Sequence, residues 1–77
     1  MILKLLDCVV LKCDLPEHRL RKGDVGVVVE VYTPHDFEVE FIEDSGYTRA
    51  LLTLSTSEVR KARASELIHP QRAGRVP

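Results

Sequence analysis

The chain has few of the residues that cross-link a protein or carry chemistry. It has two cysteines in 77 residues, Cys8 and Cys13. A disulfide framework normally uses more, in a secreted setting. The expected state is therefore two reduced thiols, with Cys8 as a small core hydrophobe and Cys13 at the start of a loop. No helical or metal-finger spacing joins them to His18, His35 and His69, so no metal site is expected. No apolar run approaches 18 residues, so no helix is expected to span a membrane. The stretch from Met1 to Asp7 is too short for a signal peptide and lacks a cleavage-like site, which leaves the cytoplasm as the expected compartment. There is no Gly-rich phosphate loop, and Ser45, Ser55, Ser57 and Ser65 sit in no nucleophile elbow. A domain this small also has little room for a sequestered pocket. The reading is of a protein that is not an enzyme and holds no cofactor.

Basic residues are missing from 23–48. That stretch holds Asp24, Glu30, Asp36, Glu38, Glu40, Glu43 and Asp44 with no Lys or Arg, whereas 49–77 holds six bases and two acids. The net charge of −1 gives no global pull toward nucleic acid. A local asymmetry of this kind can mark an interaction surface, or it can be neutralised where oppositely charged strands pair.

What is present is strand chemistry. At 44% apolar and 30% charged residues the chain reads as globular. A single small domain is expected over 1–69, followed by a flexible tail over 70–77 with almost no apolar content. A domain of this size buries only about 60% of its unfolded surface, so a homodimer is a live expectation. The strongest strand signal is Gly23–Tyr32, with Val25, Val27, Val29 and Val31 on one face and Gly26, Val28, Glu30 and Tyr32 on the other. Gly23 suits a positive φ before it, and Gly26 reads as a bend or bulge. Leu5–Lys12 lacks alternation, which fits a strand covered on both faces. Asp14–Lys22 contains Pro16 and reads as a loop pinned by Leu15 and Leu20, with one helical turn at Pro16–Arg19 as an option. Thr33–Asp36 is a turn. Phe37–Ile42 alternates cleanly, with Phe37, Val39 and Phe41 inward and Glu38 and Glu40 outward. Glu43–Gly46 is a second turn. Tyr47–Leu54 returns as a strand, with Thr48, Ala50, Leu52 and Leu54 on one face and Tyr47, Arg49, Leu51 and Thr53 on the other. Ser55–Ser57 reads as a bend and Val59–Ala62 as extended. Ala64–Glu66 reads as a short 3₁₀ turn and Leu67–His69 as a last strand, with a helix over 57–66 as the competing reading. The order predicts an all-β fold, a small SH3-like antiparallel barrel of about five strands with a 3₁₀ turn near the C-terminus.

Several stretches taken together resemble the DUF4926 family. They are Leu-Leu-Asp-Cys-Val-Val-Leu at 5–11, Asp-Leu-Pro-Glu at 14–17, Leu20 with Gly23–Val31, Phe37–Phe41, and Gly46–Leu54. The resemblance covers about residues 3–62. It implies a compact stand-alone β domain of the kind found in small bacterial proteins, frequent in cyanobacteria, that carry no established activity. It transfers no functional residue. Genes of this sort can sit beside toxin or nuclease genes, which implies an antitoxin or immunity-type partner role.

Two functional readings follow. The first is a protein-interaction module, with Tyr32, Glu38, Glu40, Tyr47, Arg49 and Leu51 as the contact residues and another protein, or a second copy of the chain, as partner. Short barrel edges accept a partner strand, and an acidic face steers a basic partner. The second is a nucleic-acid-binding barrel that uses Arg60, Lys61, Arg63, Arg72 and Arg75 on phosphates. Phe37 and Phe41 are committed to the core in this reading, and Tyr32 and Tyr47 lie among acids, so aromatic platforms for bases are missing.

Overall fold

A computed structural model of the protein describes residues 2–42 and 47–71, apart from the side chain of Arg49. Five strands form one antiparallel sheet: β1 (Cys8–Leu11), β2 (Val25–Thr33), β3 (Asp36–Ile42), β4 (Thr48–Ser55) and β5 (Val59–Lys61). The strand order is β4-β3-β2-β1-β5, so β4 and β5 are its edges. The sheet is not closed among the described residues. One apolar cluster nonetheless draws on every strand: Val9 and Leu11, Val28, Phe37, Val39 and Phe41, Leu54, and Val59. Each phenylalanine is fully buried, a burial that favours folding by about 1.5–3 kcal/mol.

Local chemistry accounts for most of the elements. In β3 the strict alternation of Phe, Val and Phe with acids places every second residue in the core. Val9, Val10 and Leu11 are all buried, as a strand covered on both faces requires. β1 is shorter than its apolar run. Leu6 has φ 71, which ends extended structure before Cys8. Its N–H still donates to the Val28 carbonyl at 2.7 Å.

The loop after β1 is pinned as its leucines suggest. Leu15 and Leu20 bridge across a 3₁₀ turn at Pro16–His18, and Leu20 is buried. Gly23 takes φ +97 in the approach to β2.

The long strand β2 differs from a plain two-residue alternation. Val28 pairs with Val39 and Glu30 with Glu38, so Val29 is an extra residue; a second shift lies between Val31 and Thr33. Such bulges bend a strand and reverse which residues face inward. Gly26 and Val28 therefore lie on the core side before the first bulge, and Val31 is paired with buried Phe37 after it. The four alternate valines do not share one face. Gly26 is not the bulge. It is buried, and a Cβ there would stand 2.8 Å from Val39 Cγ1 and 2.9 Å from Phe41 Cε1. Close approach of β3, not bending, accounts for glycine at this position.

A third shift, between Phe41 and Ile42, corrects β4. Thr48 pairs with Ile42, not on the face of Ala50, because Arg49 is the extra residue. Leu54 is buried, and Ala50 and Leu52 pack against the core as expected. Ser55 and Glu58 close the following turn: the Ser55 N–H donates to Glu58 Oε1 and the Glu58 N–H to the Ser55 carbonyl, both at 2.9 Å. The hairpin expected at Glu43–Gly46 lies outside the described residues.

The C-terminal expectation is overturned. Ala64–Ile68 is an α-helix, α1, and Leu67–His69 forms no strand. The helix ends by His69, whose N–H donates to the Ser65 carbonyl. Gln71 then returns to the sheet. Its carbonyl accepts from the Val25 N–H at 2.9 Å, and its side-chain amide donates to the Lys22 carbonyl at 3.0 Å and to Asp24 Oδ1 at 2.8 Å. Residues 72–77 lie outside the described residues.

Candidate functional site

The outward face of the sheet is built from cross-strand rows. One row joins Glu30 on β2, Glu38 on β3 and Thr53 on β4; the next joins Cys8, Val27, Glu40 and Leu51 across β1 to β4. Directly paired residues share a face, so each row is a line of neighbouring side chains.

The carboxylates are held by hydroxyls. Glu38 Oε1 accepts from Thr53 Oγ1 at 2.8 Å and from the Tyr32 phenol at 3.2 Å. Glu40 Oε2 accepts from Thr48 Oγ1 at 2.7 Å. Glu30 turns its Oε1 to the Val31 N–H at 3.0 Å. The Tyr32 phenol is pushed up from its usual value. Partial desolvation is the largest cause, followed by the hydrogen bond to Glu38 and the negative charge of Glu38 and Glu30. A phenolate here would lose its bond and face two carboxylates.

Five of the six residues singled out from sequence can be placed. Tyr32, Glu38, Glu40 and Leu51 come together on this face, with Tyr32 and Leu51 more than half exposed. Tyr47 is exposed just before β4, beside the Thr48 that holds Glu40. Arg49 occupies the bulged position of β4, and its side chain lies outside the described residues. The exposed leucine sits on an edge strand.

Over residues 5–61 the chain matches the family described as a domain of unknown function, DUF4926. The chain belongs to the DUF4926 family. No curated protein and no solved structure matches it. The DUF4926 region takes in all five strands and the whole acidic face. It stops before α1 and Gln71, which pack back onto it.

Two features of the DUF4926 chain were not read from sequence. One is Asp24, a fully buried carboxylate that accepts from the Arg21 N–H at 2.9 Å as well as from Gln71. Its sequence setting, after Lys22-Gly23, signals only a turn, and its second partner is 47 residues away. The other is a cleft of about 190 Å³ floored by Cys8, Val25, Val27 and Ile42, with Glu40 at its wall and Leu67 and Pro70 contributed by the C-terminal segment. The misread helix hid it, since without α1 there is no wall. His18, His35 and His69 are all exposed, on separate segments. No cluster of three or more metal-ligating side chains occurs among the described residues.

Proposed function

We propose that the protein is a non-enzymatic interaction module of SH3-like barrel plan, which binds a basic protein partner through the outward face of β2, β3 and β4. The observation that carries this reading is the mixed row around Glu40. Exposed Leu51 on an open edge strand stands directly against a carboxylate, with Glu38, Glu30 and exposed Tyr32 in the adjoining row. Apolar and aromatic anchors give contact energy, and carboxylates steer a basic partner. The edge of β4, unpaired among the described residues, offers backbone groups to an added strand. The barrel plan rests on the strand order and on the shared core, to which both edge strands contribute Leu54 and Val59. An antitoxin or immunity-type role beside a cationic nuclease, in the cytoplasm, fits this surface.

The phosphate-binding alternative draws less support. Arg60 is engaged by Glu66 through two hydrogen bonds, at 2.9 and 2.6 Å, so a phosphate would have to break an existing ion pair.

The test is size-exclusion chromatography with light scattering, on the protein alone and co-expressed with the neighbouring gene product. A mixed complex is expected. Double charge reversal, E38K with E40K, should weaken it at least tenfold, and raised salt should weaken the unmodified complex in the same direction. Unchanged affinity in the reversed variant would remove the acidic face from the mechanism.

A further inference from the structure

The cleft takes its lining partly from one of the acidic rows, Cys8, Val27 and Glu40, and partly from the C-terminal segment. Its floor is aliphatic, and α1 spans its rim without sealing it: Leu67 lines the cleft yet stays 52% exposed. The helix is not free to settle onto the sheet. Arg60 and Glu66 fix it to β5 through paired hydrogen bonds. Beyond its end, Gln71 is held at three points, by Lys22, Asp24 and Val25. An apolar hollow normally collapses when its walls can move. Here both ends of the covering segment are tied.

The lining defines what would fill it. A cleft of about 190 Å³ is somewhat larger than the cavity of about 150 Å³ that takes one benzene ring. That is too little for a helix or a strand, and below the usual range for drug-sized ligands. Glu40 is the ionisable acid in the lining, and no Lys or Arg lines it among the described residues. One of its oxygens is taken by Thr48. A carboxylate accepts at both oxygens. Glu38 and Glu30 stand in the adjoining row. An anion would therefore meet repulsion, and a cation would meet a hydrogen-bonding partner.

We propose that this cleft binds a small amphiphilic amine, its apolar body on Val25, Val27 and Ile42 and its ammonium group at Glu40. The reading shares Glu40 with the protein partner proposed above but does not depend on that partner, since Leu51 and the β4 edge lie outside the cleft lining.

The test uses three ligands of one ring size on the isotope-labelled full chain: benzylamine, benzyl alcohol and benzoate. Benzylamine is expected to shift the backbone amides of Cys8, Val25, Val27, Ile42 and Leu67 saturably. Benzyl alcohol should bind about fivefold more weakly, the scale of one partly exposed ion pair, and benzoate should not bind. Glu40→Gln should erase the difference between amine and alcohol. A second readout uses the two thiols. Saturating benzylamine should slow iodoacetamide alkylation of Cys8 and leave Cys13 unchanged. Equal binding of all three ligands, or no saturable shift with benzylamine in the unmodified protein, would overturn the proposal.

Discussion

Gly26 is a residue with little freedom to change. A methyl group there would meet Val39 Cγ1, the Glu40 carbonyl oxygen and Phe41 Cε1, all within 3 Å. Two of these atoms belong to the packed core and one to a neighbouring backbone, so none yields easily. Gly26→Ala is expected to cost about 1–3 kcal/mol, as overpacking does, and to lower the melting temperature by at least about 4 °C in a domain of this size. Calorimetry checks it. On the opposite face, Tyr32 reports the local field. Its phenol should titrate above the usual value, and Glu38→Gln should move it back toward that value by removing a charge. Ultraviolet titration follows both. An unshifted Tyr32 in the unmodified protein would mean that the Glu38 contact does not persist in solution.

Among the elements, α1 is held least by propensity. It has five residues and buries none, and a helix so short does not form by itself. Its support is Glu66, which receives the Arg60 guanidinium and the Arg63 N–H at 2.8 Å. The same contacts hold the Glu66 carboxyl down to about 2, with the Arg60 hydrogen bond as the main cause. The folded value lies below the ordinary one of about 4.3. Support from Glu66 is therefore complete above that ordinary value and is lost as pH falls toward about 2. Carbon chemical shifts of Ala64–Ile68 should lose helical character between about pH 5 and 2. In Glu66→Gln they should be weakly helical at every pH. The same contact explains why α1 was not legible in the sequence. Leu67, Ile68 and His69 read locally as strand, and the deciding partner, Arg60, is on another element. β3 was legible because its two-residue alternation is itself the burial pattern. β2 was legible as a strand but not in its faces, since nothing in Val-Val-Val-Glu-Val marks which valine is extra. The acidic face could be read for the same reason as β3, whereas the cleft could not, since its rim depends on α1.

For the whole molecule, Gln71 ties the C-terminal segment back to the start of β2, reaching Asp24 across 47 positions. Gln71→Ala leaves the buried Asp24 carboxylate short of one donor. The expected loss is about 1–3 kcal/mol, read by denaturant unfolding, with the β3 and β4 core unchanged in structure. Gly23 is part of the same joint, because a Cβ there would stand 2.9 Å from Gln71 Oε1. The joint also bears on the order in which the protein is made. Strands β1 to β4 follow one another in sequence and each pairs with the next, so they can associate before β5 is available. The outer edge of β1 must wait for β5, and Asp24 must wait longer still, for Gln71. Until Gln71 is in place, the meander of β1 to β4 stands with an unlatched rim.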